Sequence, residues 1–226
     1  MNMFSTILAG GVKHEFSSGA LRRSFWRASN PTTGTGIASL DAATARSATA
    51  NLMTVYNSDT TDQKARIIPV RLWLRATAVN TTASDLYAAI YIDKINRWSS
   101  GGTAITPTYT GISGASGWTA PTTKATIKFG VLVTPAESAE VKVYDREITT
   151  TILKADDEFD FWFGDAPGLI APTVAATGYY EKSVIAVPPV WLDPGATMIF
   201  DTYGTAQAAD PAWEFEFWYV EHPNNN

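Results

Sequence analysis

Apolar and polar residues alternate with a period of two through much of the chain, which is the pattern of a β-strand with one buried face. In RIIPVRLWLRAT, residues 66–77, Val70, Leu72 and Leu74 fall on one face, while arginine and tryptophan fall on the other. The pattern predicts eight strands, at residues 66–77, 85–93, 125–133, 141–153, 158–163, 180–187, 197–203 and 212–222.

The connections between these strands are rich in glycine, proline, serine and threonine, and none has the pattern of an amphipathic helix. Connections of this kind favour antiparallel pairing, and eight strands in two sheets is the count of a jelly roll. The sequence therefore predicts an all-β fold, an antiparallel eight-stranded jelly-roll sandwich with an extended N-terminal arm. An immunoglobulin-like sandwich is the alternative, but it typically spans about 100 residues, fewer than the strand region here.

Residues 1–50 show neither a strand period nor a helix period, and residues 29–39 have the proline and glycine content of a loop. We therefore expect an extended arm over residues 1–50 and a jelly-roll domain over residues 51–226. Residues 51–57 are a short β-like run that is left out of the eight strands.

The arm differs in charge from the rest of the chain. It carries five basic and two acidic side chains, a balance of +3, whereas the whole chain has a net charge of −5. This asymmetry indicates that the arm contacts an acidic partner. A basic and aromatic segment could also bind nucleic acid, but ALRRSFW is too short a signal, and no direct nucleic-acid contact is expected. The predicted docking residues are Arg22, Arg23, Phe25, Trp26 and Arg27.

The strand at 212–222, AWEFEFWYVEH, has two faces of different chemistry. Trp213, Phe215, Phe217 and Tyr219 form a predicted core face, because alternate residues of a strand point the same way. A jelly roll places the first strand, 66–77, beside this last one. Their outward faces then bring arginines opposite glutamates, and such pairs contribute about 0.2–1 kcal/mol each.

Tryptophans accompany these charges, and interfaces are enriched in tryptophan and arginine. We therefore predict that this face packs against another subunit or the arm, the alternative being that loops or the arm of the same chain cover it. The predicted contact residues are Arg71, Trp73, Arg75, Glu214, Glu216 and Trp218.

Catalytic chemistry has little support in the sequence. The chain has no cysteine, and its two histidines, His14 and His222, lie near opposite ends of the sequence. The sequence therefore offers no histidine cluster for a metal, and histidines so near the ends rarely have the support that a catalytic triad needs. Glu158 and Asp160 share a strand face at a spacing of about 7 Å, which paired catalytic carboxylates could use, but a solvated face is the simpler interpretation. We expect no enzyme activity, cofactor or metal, with calcium at Asp156, Asp157 and Asp165 left open.

The long connection at residues 95–124 supplies a carbohydrate-binding alternative. It contains Trp98 and Trp118, which are the candidate glycan contacts because aromatic rings stack on sugars. Most other aromatic residues lie in predicted strands, where core packing is the usual role. No signal peptide is expected at the start of the chain, and no apolar run approaches the ~18 residues of a membrane helix.

Three segments resemble a class of tailed-bacteriophage virion proteins: the leader NPTTGTGIA, the stretch beginning RIIPVRLWLRATAVNTTASDLYAAIYID, and the stretch VPPVWLDPGATMIFDTYGTAQAADPAWEFEFWYVE. These proteins are similar to jelly-roll capsid decoration, or cement, proteins, and the resemblance covers residues 30–110 and 187–221. It carries no catalytic motif.

The resemblance implies a structural virion protein that binds the major capsid protein, commonly as a homotrimer, and stabilises the phage head. Such a protein assembles in the host cytoplasm, which fits a chain without cysteine. A carbohydrate-binding or adhesion module of a phage tail or fibre remains the alternative, because the residues alone do not select a position on the particle.

Overall fold

The computed structural model describes residues 5–8, 12–15, 25–38, 45–60, 65–78, 85–110, 121–133, 139–149, 152–164, 182–204 and 211–222. Within these residues all regular structure is β-strand. The strands are β1 (Ser5–Leu8), β2 (Val12–Glu15), β3 (Phe25–Ser29), β4 (Ile37–Ala38), β5 (Ala50–Asn57), β6 (Arg66–Ala78), β7 (Leu86–Asp93), β8 (Ser100–Ile105), β9 (Thr108–Tyr109), β10 (Ala125–Val133), β11 (Val141–Thr149), β12 (Glu158–Phe163), β13 (Lys182–Val187), β14 (Thr197–Gly204) and β15 (Ala212–His222).

The strands form two large sheets and a separate hairpin of β1 and β2. The first sheet has the order β11-β7-β14-β5-β10-β8, and the second has the order β13-β12-β6-β15-β3-β9, with β4 also paired to β15. All pairs are antiparallel except β12 with β13, which run parallel.

The two sheets pack face to face around an aromatic core. Phe129 of the first sheet stacks on Phe215 of the second with 3.9 Å between ring centroids. Phe200 and Phe161 meet edge to face across the same interface, with centroids 5.3 Å apart. The inner faces of both sheets therefore share one core, and the fold is a β-sandwich.

Two sequence predictions about β15 are confirmed. Trp213, Phe215, Phe217 and Tyr219 are at most 1% exposed, as expected of a core face. The strand pairs with β6 along its whole length, from Ala212 opposite Ala78 to His222 opposite Arg66.

The chain has more strands than the predicted eight, and residues 51–57 are the most important omission. They belong to β5, which lies between β14 and β10 in the interior of the first sheet. Asn51, Thr54 and Asn57 interrupt its apolar pattern, yet all three are buried. Asn57 donates to the carbonyls of Ala65 and Leu192, at 2.7 and 2.8 Å, so its burial is compensated by hydrogen bonds.

The predicted arm boundary at residue 50 also needs correction. Residues 25–29 form β3, which pairs with β15 inside the second sheet. Asn30 extends this pairing, because its side chain accepts a hydrogen bond from the amide of Phe215 at 2.5 Å and donates to the carbonyl of Trp213 at 3.3 Å. Five residues are too few to show a period, which is why the sequence alone assigns this strand to the arm.

Two further details differ from prediction. The strand expected at 141–153 ends at Thr149, and the pairing of β12 with β13 is parallel, although the sequence predicted antiparallel pairing. A parallel pair needs a crossover of about a dozen residues or more. Residues 164–181 supply that length, so the long connection permits the parallel arrangement.

Gly36, in the segment before β4, has no room for a side chain. A β-carbon there would lie 1.8 Å from Thr77 Oγ1 and 3.0 Å from the backbone carbon of Ala212. We expect Gly36→Ala to lower the free energy of unfolding by about 2 kcal/mol, as overpacking does elsewhere. Urea denaturation followed by tryptophan fluorescence measures the change.

Gly34→Ala is the matched control, because a β-carbon there meets nothing within 4 Å and only the φ of +79° opposes it. We expect a loss of about 1 kcal/mol for this backbone strain. A larger loss at Gly34 than at Gly36 would contradict the steric argument.

Candidate functional site

The outer face of the first sheet is sealed by residues of the same chain. Thr54, Ala89, Ile199 and Asp201 lie on the side of the sheet away from the core, and each is at most 1% exposed.

Four charged residues on this face form an arginine–carboxylate cluster: Arg46, Asp93, Arg97 and Glu140. Arg97 is fully buried and pairs with Asp93 at 3.0 Å and with Glu140. Arg46 makes a bidentate contact to Glu140, at 2.8 and 3.0 Å. Arg97 also donates to the carbonyl of Ala48 at 2.9 Å. The cluster therefore ties the segment before β5 to the loop after β7 and to the residue before β11.

Asp145 forms a neighbouring polar contact on the same face. It accepts hydrogen bonds from the hydroxyls of Tyr91, at 3.0 Å, and Tyr203, at 2.6 Å. The guanidinium of Arg46 lies 3.8 Å from the centroid of the Tyr91 ring, which links this contact to the cluster. Arg46 and the two tyrosines therefore place Asp145 and Glu140 in one connected group of polar side chains on this face.

The surroundings of these carboxylates change their acidity. Burial on its own would raise the pKa of Glu140, but hydrogen bonds and charges from Arg46 and Arg97 outweigh it, and the pKa is lowered. The pKa of Asp145 is lowered in the same way, since hydrogen bonds from Tyr203, Tyr91 and Lys142 outweigh its burial. Both groups are therefore stabilised in their charged form by the folded structure.

The outer face of the second sheet has a different construction, and it contains the six residues predicted as a contact face. We call it the Arg–Trp face. Its charged and aromatic side chains come from five adjacent strands, β13, β12, β6, β15 and β3. They are Arg27, Arg71, Trp73, Arg75, Glu158, Asp160, Trp162, Lys182, Glu214, Glu216 and Trp218.

The first part of this face is a row of alternating charge that crosses four strands. Lys182 is registered with Glu158, Glu158 with Arg75, and Arg75 with Glu214. Lys182 Nζ lies 3.1 Å from Glu158, and Arg75 is in hydrogen-bond contact with Glu214. Trp73 donates its indole N–H to Glu158 at 3.1 Å. Each charge in the row therefore has an opposite charge on the next strand.

The second part is centred on Arg71. Its guanidinium makes a bidentate contact to Asp160, at 2.6 and 2.8 Å, and lies 3.8 Å from Glu216. Glu216 also accepts a hydrogen bond from Arg27 Nε at 2.7 Å and one from the indole of Trp218. Asp160 and Glu216 are therefore held by arginines of neighbouring strands, and Glu216 also by a tryptophan of its own strand.

Exposure decreases from the rim of the Arg–Trp face towards its centre. The side chains of Arg27 and Lys182 at the rim are 45% and 46% exposed. Arg71 and Arg75 retain 25% and 31%, while the side chains of Asp160 and Glu214 retain 6% and 10%. The outward surface therefore consists mainly of arginine, lysine and tryptophan, with the carboxylates beneath them.

The sequence placed Arg71, Trp73 and Arg75 opposite the acidic face of β15, and the structure confirms that the two strands are neighbours. The closest partner of Arg71 is nevertheless Asp160, on a strand that the sequence did not place there. The charge of Asp160 was visible, but nothing in the pattern indicated that β12 pairs with β6. Lys182 and Trp162 were missed for the same reason.

The predicted docking residues of the arm divide into two groups. Arg22 and Arg23 lie outside the described residues. Trp26 is only 3% exposed and stacks against Tyr219, so its prediction as a docking residue is wrong. Alternation along β3 turns Trp26 inward and its neighbours outward.

Of those neighbours, Arg27 belongs to the Arg–Trp face and Phe25 adjoins it. The Phe25 ring lies 5.4 Å from Trp218, and the Arg27 guanidinium lies 6.0 Å from the same ring. These two residues therefore belong to the same surface as the residues predicted on β6 and β15.

Of the two candidate glycan contacts, the structure describes only Trp98. Trp98 is half-buried, donates its indole N–H to the carbonyl of Gly101 at 3.0 Å, and has Lys128 Nζ 4.4 Å from its ring centroid. Trp118 lies outside the described residues. Trp191, which the sequence did not single out, is 57% exposed.

The acidic segment at 156–165 shows no assembled metal site in the part that is described. Asp156 lies 3.6 Å from Arg75, and Asp157 accepts a hydrogen bond from the amide of Lys154 at 2.7 Å. Asp165 lies outside the described residues. No group of three or more histidine, aspartate or glutamate residues within the described ranges is arranged to hold a metal ion.

A search of the described residues for helices that could span a bilayer finds none of sufficient length and hydropathy. Comparison of the chain with protein-family models, with curated protein sequences and with solved structures gives no match. The functional argument therefore rests on the residues and their geometry.

The arginine–carboxylate cluster makes a prediction about acid stability. Because the pKa of Glu140 is lowered by folding, the folded protein binds fewer protons than the unfolded chain, and stability falls as the pH falls. This contribution is present above the ordinary pKa of a glutamate and is lost as the pH drops through the lowered value. We expect Glu140→Gln to cost about 3 kcal/mol near neutral pH, as loss of one partner of a buried pair does.

Urea unfolding is measured from about pH 7 to about pH 3, the range in which carboxylates titrate. The free energy of unfolding should decline less over this range for Glu140→Gln than for the unaltered protein. Glu147→Gln, an exposed position on β11, is the matched control and should leave both the stability and its pH dependence unchanged. Equal effects at the two positions would contradict the assignment.

Proposed function

We propose that this chain is a structural virion protein, a capsid decoration or cement protein that binds and stabilises a phage head. The observation that carries the proposal is the contrast between the two outer faces of the sandwich. The first sheet is closed by its own arginine–carboxylate cluster, while the second presents a broad face of arginine and tryptophan. A face of this composition is suited to contact with another protein.

The chemistry of the Arg–Trp face supports docking in preference to catalysis. Its carboxylates are already paired with arginine or lysine, so docking would not bury an uncompensated charge. Tryptophan and arginine are also the side chains that most often dominate binding energy at protein interfaces. The Arg–Trp face therefore fits a protein partner, which we take to be the major capsid protein.

The resemblance to tailed-phage virion proteins supports the capsid as the setting and the virion as the location. The finer fold class, a jelly roll, belongs to the same proposal. The pairing of β6 with β15 supports it, whereas β3 and β5 are additions to an eight-stranded scheme.

In this proposal the N-terminal arm still docks on the capsid, but it is shorter than the predicted 1–50. Phe25 is the first residue of β3, so the docking arm of this proposal is residues 1–24. That segment carries Lys13, Arg22 and Arg23 against Glu15, and its positive balance suits an acidic capsid surface.

Trp218→Ala tests the docking face. We expect the substitution to weaken binding to capsids that lack this protein about thirtyfold, the effect of losing a central interface residue. Co-sedimentation with such capsids measures binding, and circular dichroism checks that the sandwich remains folded.

Trp98→Ala is the matched control, since Trp98 is also a half-buried tryptophan but contacts Lys128 of the first sheet. It should leave capsid binding unchanged. If Trp98→Ala instead abolished binding to phage-host polysaccharide while Trp218→Ala had no effect on capsids, the carbohydrate-binding alternative would replace this proposal.

Deletion of residues 1–24 tests the arm. We expect the truncated chain to keep its thermal midpoint, because β3 and the core remain, and to lose capsid binding. A deletion of residues 1–30 should unfold the protein, since it also removes Trp26 and Asn30 from the second sheet. Full capsid binding by the shorter deletion would exclude a docking role for the arm.

A further inference from the structure

The edges of the two sheets differ in how they are protected against pairing with another strand. An exposed, regular edge strand is a template for further pairing, and proteins usually interrupt such edges with bulges, glycines or very short strands. The first sheet ends in β11 and β8, and the second ends in β13 and β9.

Three of these edges carry an interruption. In β11 the register with β7 shifts twice, between Lys142 and Tyr144 and between Glu147 and Thr149. In β8, Gly101 and Gly102 have φ values of +79° and +69°, which break the extended conformation. The edge strand β9 is only two residues long.

The fourth edge, β13, has no such device. Its six residues, KSVIAV, keep an unbroken register with β12, from Lys182 opposite Glu158 to Val187 opposite Phe163. Its valine and isoleucine residues favour extended structure. Its one charge, on Lys182, is directed to Glu158 on the outer face. Among the described residues, β12 is the only strand that pairs with β13.

We infer that β13 pairs antiparallel with β13 of a second copy of this chain, which joins two second sheets into one continuous sheet. The sequence of β13 is compatible with itself across a two-fold axis, because it carries a single charge and no proline. Proline follows at positions 188 and 189, where it ends the strand and bounds the paired segment.

The faces of the strand restrict the register of this pairing. Ser183, Ile185 and Val187 are registered with the core-facing Phe159, Phe161 and Phe163, so Lys182, Val184 and Ala186 face outward. Residues directly opposite each other in a ladder point to the same face, so outward residues must meet outward residues. A two-fold axis at Val184 satisfies this condition, places Lys182 opposite Ala186, and keeps Pro188 outside the ladder.

In this arrangement the Arg–Trp faces of the two copies lie on the same side of the joined sheet. The consequence for docking, a doubled contact surface, rests on the proposed function. The pairing of β13 does not depend on the proposed function, and it is tested on the isolated protein. A failure of the pairing is therefore distinguishable from a failure of the proposed function.

Sedimentation equilibrium of the purified full chain tests the pairing. We expect a dimer, in place of the homotrimer that the resemblance implies. We expect Val184→Lys and Val184→Glu each to raise the dissociation constant of the dimer about fivefold, because each places like charges opposite each other at the axis. An equimolar mixture of the two variants should recover the affinity of the unaltered protein. Val184→Thr, which keeps a branched strand-forming side chain, is the matched control.

Val184 is half-buried on the outer face, so these variants are expected to fold, and circular dichroism checks this. Hydrogen exchange at low and high protein concentration gives a second measurement, with protection gained at β13 amides and not at β11 or β8. A monomer throughout, or a trimer whose affinity is unchanged by charge at position 184, overturns the inference.

Discussion

The pairing of β6 with β15 is the contact on which the second sheet depends, because it sets what each face presents. On the inner side it brings Leu74 opposite Phe215 and Leu72 opposite Phe217. On the outer side the same ladder brings Arg75 opposite Glu214. A slip of one residue would turn the aromatic residues to solvent and the charges to the core, so both faces are fixed together.

The inner face decides this register, and the outer charges follow it. Burial of a large apolar side chain contributes about 1.5–3 kcal/mol, whereas a cross-strand charge pair contributes about 0.2–1 kcal/mol. Trp213, Phe215 and Phe217 are all at most 1% exposed, so each contributes the full free energy of burying its side chain. The Arg–Trp face is thus positioned by the core beneath it, and its charges could be altered without loss of the strand pairing.

The sequence predicted the parts of this fold in which periodicity is long and strongly contrasted. Strands β6 and β15 are thirteen and eleven residues long, and their alternation was sufficient to assign both faces and their pairing. Strand β5 was not predicted because buried Asn51, Thr54 and Asn57 break the pattern, and the sequence does not show that Asn57 bonds the carbonyl of Leu192. The position of β12 beside β6 was not predicted, because an acidic strand face is compatible with any basic neighbour. The sequence therefore did not link Asp160 to Arg71.

The difference between the two outer faces follows from where their arginines originate. On the first sheet Arg46 and Arg97 come from segments outside the strands, and their contacts with Glu140 and with the carbonyl of Ala48 hold those segments against the face. On the second sheet Arg71 and Arg75 belong to a strand and meet carboxylates on the adjacent strands, so their charges are neutralised by residues of the same sheet. Such a face can lose water without leaving a charge unpaired, which lowers the cost of contact with a partner. The tryptophans between those pairs supply apolar area that can drive the contact, and this combination makes the second sheet, of the two, the one suited to binding.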